Sequence, residues 1–396
     1  MKKTDLETRK NLKTRTKMIH AGRQPADQYG FVNTPIYRGS TVLAPNYQAL
    51  FDHSMPFTYG RFGSPTTQAL ETAWSELAGA AGTVLVPSGL AAISLALMSV
   101  LSAGDHLLVT DSAYRPTRTF CDRYLRRMGV ETTYFDPMIG ANITALLKPN
   151  TRAILLESPG SQSFEMQDIP AIAAAVQPKD ICVIMDNTWA TPIFFPPHER
   201  GVDLAIEAGT KYLSGHSDLL LGLVSANARY YPKLRETFET IGICPGPEDI
   251  YLALRGLRTM ELRLREAERQ ALDLAHWLNQ RPEVQQVLHP ALPDHPGHAI
   301  WKRDFLGSSG LFSIILQAAP EAAIEAMLDE LQLFGLGYSW GGFESLIIPF
   351  DCRTYRTATK WNPPGPSLRL QVGLEDLDDL KEDLARGFAK FNALRA

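Results

Sequence analysis

Between about residues 83 and 225 the chain alternates short apolar, β-branched runs with longer stretches of helical period. Parallel neighbours in a sheet need a crossover of about a dozen or more residues between them, so this alternation predicts a mostly parallel sheet covered by helices. The runs at 83–86, 106–110, 131–135, 152–157, 182–186, 203–207 and 219–226 predict seven strands. Several are apolar without alternation, as strands buried on both faces are. The stretches 90–101, 116–128 and 169–176 are long enough to be crossover helices.

The flanks read differently. Before residue 63, Pro25, Pro35, Pro45, Pro56 and several glycines recur with little periodicity, which predicts an extended arm that packs on something else, a second subunit being one candidate. Around Cys244-Pro-Gly-Pro247 the composition shifts, and a long charged helix starting near Glu248 leads out of the sheet. The expected division is an arm over 1–62, a large α/β domain over 63–257 and a smaller α+β domain over 258–396. The last helix carries Leu377, Leu380, Leu384 and Phe391 on one stripe, with acids from Glu375 to Asp379 early and Lys390 and Arg395 late.

Composition narrows the function. With 396 residues, 45% hydrophobic and 21% charged, the chain has apolar material for more than one core, and disorder is excluded. Thirty-nine basic residues against 43 acidic ones leave no cationic excess to recruit nucleic acid. Four scattered cysteines without metal-ligand spacing argue against disulfides and zinc and fit a reducing compartment. The longest apolar run, 90–103, is too short to cross a bilayer, so no membrane partner is expected. Seven of the first 17 residues are Lys or Arg, but no apolar stretch follows to make a secretory signal. The basic stretch reads as a solvated tail, and a cytoplasmic location is expected.

No Walker loop, H-E-x-x-H or G-x-S-x-G occurs. The informative residues lie at the end of the run 182–186. Asp186, followed by Asn187-Thr188-Trp189, stands where open α/β sheets bind ligands, although alone it could equally cap the next helix. Further on, Thr210-Lys211-Tyr212 precedes Gly215-His216-Ser217-Asp218 in a polar loop. A lone loop lysine is ordinarily a solvated charge. Paired with a strand-end aspartate that can hold a pyridinium nitrogen, it is what pyridoxal phosphate requires. Ser88-Gly89-Leu90 opens a helix after the first strand, so the N–H groups of Gly89 and Leu90 can face a phosphate.

Three blocks, Ser88-Gly-Leu-Ala-Ala-Ile93, Asp186-Asn-Thr-Trp189 and Thr210-Lys-Tyr-Leu-Ser-Gly-His-Ser-Asp218, together resemble the cysteine and methionine metabolism family of pyridoxal-phosphate enzymes. The resemblance runs over nearly the whole chain after about residue 17, from Asn33-Thr-Pro-Ile-Tyr37 and Tyr59-Gly-Arg61 to Leu370-Gln-Val-Gly-Leu-Glu-Asp376. It implies the aspartate-aminotransferase-like (fold type I) α/β architecture, pyridoxal 5'-phosphate as cofactor, and a homotetramer built as a dimer of dimers. Within the family the chain is most similar to the branch that eliminates at the β-carbon. That similarity rests on Ser161 in Glu157-Ser-Pro-Gly-Ser161, on Ala208, and on Trp340 in Tyr338-Ser-Trp-Gly-Gly-Phe-Glu-Ser345.

The roles that follow from the resemblance are these. Lys211 links to the cofactor aldehyde, Asp186 partners the ring nitrogen, and Tyr114 stacks on the ring. Gly89, Leu90 and Thr210 hold the phosphate, while Tyr59 and Arg61 reach in from a neighbouring subunit. Arg369 and Ser339 bind the substrate α-carboxylate beside Trp340, and Tyr59 borders the same pocket. Lys211, Tyr114 and Tyr59 form the catalytic set. Without the blocks, Tyr114 and Trp340 would read as core and Arg369 as an ion-pair partner. His216 is expected to shape its loop rather than move protons, and Cys121 and Cys182 to be inert buried thiols. The implied reaction is β-elimination from L-cystathionine to homocysteine, pyruvate and ammonia. Its rivals are a γ-lyase, a homoserine-ester sulfhydrylase, a broader cysteine-conjugate β-lyase and a non-catalytic cofactor-binding regulator.

Overall fold

The run of buried apolar segments becomes one twisted sheet in the computed structural model, which describes residues 12–52 and 54–395. Lys2, Lys3, Arg9 and Lys10 of the basic tail lie outside the described residues. The strands are β1 (Gly82–Val86), β2 (His106–Thr110), β3 (Glu131–Phe135), β4 (Thr151–Glu157), β5 (Cys182–Asp186), β6 (Leu204–Ala208) and β7 (Gly222–Ala226), ordered β1-β7-β6-β5-β4-β2-β3. β3, β2, β4, β5 and β6 pair in parallel, and β7 runs antiparallel to both β6 and β1. β1, β2 and β7 are buried along their whole length, which is why their sequences show no alternation. The edge strand β3 is mostly half-buried, with Glu131 exposed, and correspondingly more polar.

Side chains alternate between two apolar layers. Val84, Ile93, Leu97, Val109, Ile184 and Val224 pack on one face of the sheet, and Trp74, Leu85, Leu108, Phe164, Met185 and Phe194 on the other. β1 and β4 each begin one residue before expectation, at Gly82 and Thr151, and β6 and β7 shift for a visible reason. β7 starts at Gly222 because the Leu221 backbone is taken by Thr210, whose N–H donates to Leu221 O at 3.2 Å. β6 starts at Leu204 because Asp203 binds across the strand ends instead, accepting from Val183 N at 2.8 Å and Asn227 Nδ2 at 2.7 Å. The predicted crossover at 116–128 is a short helix, Arg115–Thr119, running into a π-helical turn, Phe120–Leu125.

Beyond the helices Pro247–Leu257 and Met260–Leu278, a second sheet forms from β8 (Val284–Leu288), β9 (Leu311–Leu316), β10 (Leu346–Phe350) and β11 (Ser367–Gln371), in the order β10-β11-β9-β8, all antiparallel. The terminal helix, Leu377–Arg395, buries Leu380, Leu384, Phe388 and Phe391 against it. Asp383 on that helix is buried and accepts from the N–H groups of Gln332, Leu333 and Phe334 at 2.9, 2.9 and 3.0 Å.

The segment before residue 63 is not uniformly extended. Thr14–His20 is helical, its Met18 is buried, and the Arg258 guanidinium donates to the carbonyls of Met18 and Ala21. From Tyr29 onward the chain is mostly irregular, with large apolar side chains turned outward: Tyr29 is 97% exposed, Leu43 86% and Tyr47 79%.

Candidate active site

Parallel pairing of β4, β5 and β6 brings their carboxyl ends together, with Glu157 opposite Asp186 and Asp186 opposite Ile206. Burial pushes the Asp186 carboxyl above its usual pKa, while two bonds from Thr188 and the Lys211 charge act the other way. Asp186 Oδ1 accepts from Thr188 N at 3.0 Å and from Thr188 Oγ1 at 2.6 Å, and Thr188 Oγ1 accepts in turn from Ala208 N at 2.9 Å. Thr188 thus locks the aspartate and ties the end of β5 to β6. The sequence singles out Thr188 only as part of the block Asp186-Asn-Thr-Trp189, with no role attached to it. Glu157 Oε2 accepts from Tyr114 N at 2.7 Å, and Ser161 reaches the same carboxyl group.

Lys211 follows β6 on a turn closed by its own N–H to Ala208 O at 3.0 Å. Its amine hydrogen-bonds Ser339 Oγ and lies 5.3 Å from the Trp340 ring centroid. Burial, with the Arg369 charge nearby and Asp186 opposing, lowers its pKa to about 8. Arg369 projects from β11, donates from Nη2 to Ser339 O at 2.9 Å, and leaves Nε buried without a partner. Ser339 has φ +86°, a left-handed backbone that turns both its hydroxyl and its carbonyl to these two cations. A Cβ on Gly341 would stand 3.0 Å from the Lys211 carbonyl carbon, so glycine permits this approach of the two loops.

The loop beyond Lys211 is clamped by Arg263, which donates to the carbonyls of Tyr212, Leu213 and Gly256 at 2.8, 3.2 and 2.8 Å. His216 turns Nδ1 onto Ser214 O at 2.6 Å, consistent with a loop-shaping part. Asp111, at the end of β2 and three residues before Tyr114, is a second clamp. It accepts from the N–H groups of Thr357, Ala358 and Thr359, from Thr359 Oγ1 and from Arg118. Burial works to raise its carboxyl, yet these bonds outweigh it and hold the group below its usual range. Arg263 and Asp111 escape sequence reading because most of their partners are backbone carbonyls and amides that every residue carries, those of Asp111 at 357–359 lying 246 or more residues along the chain.

The helix Gly89–Met98 begins beside β6. Ser88 Oγ caps it by accepting from Ala91 N at 3.2 Å, and a Cβ on Gly89 would stand 2.7 Å from Ala208 Cβ, so glycine lets the helix start press against the strand end. The first-turn N–H groups of a helix have no partner within it. The Thr210 hydroxyl is engaged elsewhere, accepting from Leu221 N at 3.1 Å and donating to Leu221 O at 3.3 Å, so a phosphate contact needs that donor to turn. Tyr59 and Arg61 do not join the group: Tyr59 bridges Thr41, Arg61 donates to Glu239 O at 2.7 Å, and neither hydrogen-bonds the Lys211 cluster among the described residues. Burial pushes the Cys121 thiol up to about 12 and the Cys182 thiol well above its usual range, which leaves both unreactive.

A buried carboxylate at the base, an amine of lowered basicity, a half-exposed aromatic ring at Tyr114 and a helix start with free N–H groups fit a phosphorylated pyridine aldehyde. The comparisons with known proteins agree. The family model for Cys/Met metabolism PLP-dependent enzymes matches residues 15–389. A Rhizobium johnstonii protein, provisionally named as a cystathionine beta-lyase, is 52% identical over 383 residues, 96% of each chain. The cystathionine beta-lyase of Salmonella typhimurium is 43% identical over 386 residues, 95% of this chain and 98% of the relative. The solved cystathionine gamma-lyase from Lactobacillus plantarum, complexed with L-serine, superposes with a TM-score of 0.88 at 31% identity, over 96% of this chain and all of that one.

The electrostatics of Lys211 are open to titration. In cofactor-free protein, a small acylating reagent at limiting concentration should modify Lys211 with a midpoint near pH 8, since the amine reacts only when deprotonated. Arg369→Gln should move that midpoint upward, because it removes a positive charge that opposes protonation of the amine. A midpoint in the ordinary lysine range would contradict the geometry.

Proposed function

Because the chain belongs to the family of Cys/Met metabolism PLP-dependent enzymes, we propose that it is a carbon–sulfur β-lyase cleaving L-cystathionine to homocysteine, pyruvate and ammonia. One observation carries the reading: the Lys211 amine and the Arg369 guanidinium meet on Ser339, with Asp186 close enough to bear on the Lys211 charge. That is a proton-transferring base beside a carboxylate anchor. Pyridoxal phosphate, when bound, supplies the electron sink that makes the substrate Cα–H acidic.

The chain's residues do the rest. Asp186 would hold the protonated ring nitrogen of that group, and Tyr114 would pack against its ring. Arg369 holds the substrate α-carboxylate, its unpartnered Nε being a donor left over from the bond to Ser339. The Lys211 amine would remove the substrate α-proton; its lowered basicity keeps a useful fraction deprotonated near neutral pH. The Cβ–S bond then breaks with its electron pair leaving on sulfur, and Lys211 or a tyrosine, Tyr114 or the partner's Tyr59, returns a proton to that sulfur. The three-carbon remainder hydrolyses to pyruvate and ammonia. Trp340, tilted against Tyr212 at 5.4 Å between centroids, walls the pocket, and Ser161 and Ala208 mark the β-eliminating branch.

The division into an arm (1–62), a large domain (63–257) and a small domain (258–396) belongs to the same proposal, as does a homotetramer made of two dimers. Its support is the row of outward apolar side chains from Tyr29 to Phe51, together with Tyr59 and Arg61, which stand apart from their own protomer's Lys211 cluster. The active site is then shared, the arm of one subunit supplying Tyr59 and Arg61 to the phosphate end of the next. A cytoplasmic setting fits the four unpaired cysteines, and among the described residues no helix is long and apolar enough to cross a membrane; cell fractionation that puts the protein in a membrane or exported fraction would refute it.

Incubation of the cofactor-loaded protein with L-cystathionine should release pyruvate and homocysteine. Release of 2-oxobutyrate and cysteine would instead place the chain with the γ-eliminating relatives. Sharing of the site predicts complementation: Lys211→Ala and Arg61→Ala variants, each inactive alone, should regain activity when their subunits are mixed and exchanged. A mixture as inactive as its parents would refute the shared site.

A further inference from the structure

Glu207 sits on β6, one residue before Ala208 and four before Lys211. It is 2% exposed, and both of its carboxylate oxygens are buried without a hydrogen-bond partner. Buried charges are paired or neutralised, so an ionised Glu207 with no partner is not a state this interior can hold.

Strand register identifies what it faces. Asp186 stands opposite Ile206, and Asn187 N donates to Ile206 O at 2.9 Å, which puts Asn187 opposite Glu207 on the next rung. Opposed residues point to the same side of a sheet, so Asn187 and Glu207 share the face opposite Asp186. Asn187 Nδ2 donates to Phe195 O at 3.1 Å, which fixes the amide's orientation. Its Oδ1 is also buried and without a partner. Register therefore brings two buried groups that lack a donor to the same rung and the same face, and a proton on one Glu207 oxygen supplies the donor that Asn187 Oδ1 lacks.

We propose that Glu207 is a positioning residue held as the neutral acid, donating its carboxyl O–H to Asn187 Oδ1 and so fixing the β5–β6 seam that carries Asp186. Burial and then the Asp186 charge push the Glu207 carboxyl well up, in keeping with that state. Burial and Asp186 push Glu157 the same way. Asp186, offset by Thr188 and Lys211, is then the one of the three carboxyl groups to carry negative charge toward the ring nitrogen. The inference rests on that role of Asp186 and is independent of which thioether is cleaved.

The test compares holoenzyme carrying Glu207→Gln or Glu207→Leu with the native holoenzyme. Glutamine is uncharged and keeps an N–H donor for Asn187 Oδ1; leucine removes the donor. At neutral pH the infrared difference between native protein and E207Q should show loss of a protonated-carboxyl C=O band. E207Q should bind pyridoxal phosphate as the native protein does and keep its visible absorption band, whereas E207L should bind it about tenfold more weakly, with the band displaced. Loss of an ionised-carboxylate band in E207Q, an E207Q defect equal to that of E207L, or an E207L variant indistinguishable from native protein would overturn the proposal. The infrared comparison needs only E207Q, so it decides the protonation state even where the leucine variant does not fold. A different product from L-cystathionine would leave these results standing.

Discussion

The site depends on keeping a carboxylate, Asp186, buried at the end of a parallel strand. Desolvation opposes its charge, and the fold offsets that with two donors from Thr188 and the facing charge of Lys211. The same hydroxyl that donates to Asp186 accepts from Ala208 N, so the anion is stabilised by the bond that also fixes the start of the Lys211 turn. Acid and amine are positioned by one connection. Burial that raises the aspartate also lowers the lysine, and each is the other's partial compensation.

The second sheet completes this arrangement. Ser339 and Arg369 come from the C-terminal part of the chain, yet Lys211 has its hydrogen bond with the first and its electrostatic neighbour in the second. Asp111 fastens the 357–359 segment to the end of β2, and Arg263 fastens the Lys211 loop to the helix that leads between the two sheets. Arg369 stands beside the Lys211 amine only while both sheets are docked, so on the proposed roles of these residues, movement at the clamps would alter substrate binding and proton transfer together.

Much of this is legible in the residue order. The buried runs 182–186 and 106–110 are strands to the residue, because a continuous apolar stretch bounded by polar turns has few alternatives, and the more polar, partly exposed edge strand 131–135 also falls where it is expected. Asp186 and Lys211 are legible as a pair because strand-end acid and loop lysine have a shared chemical purpose that neither has alone. Boundaries fail where side chains take over backbone bonds, as Thr210 shortens β7 and Asp203 delays β6. The helix Thr14–His20 is hidden by prolines and glycines that follow it, and depends on a tertiary contact with Arg258. The parts played by Thr188, Asp111, Arg263 and Asn187 are not legible for a common reason: each works largely through main-chain groups or through a partner chosen by strand register, and neither leaves a mark in local sequence.

The most direct test of the central claim is to reduce the cofactor-loaded protein with borohydride and map the modified peptide. The account predicts a single pyridoxyl group on Lys211, carried by the peptide that begins after β6, and none when Lys211 is replaced. Label on a different lysine, or unaltered labelling in the Lys211→Ala protein, would contradict it.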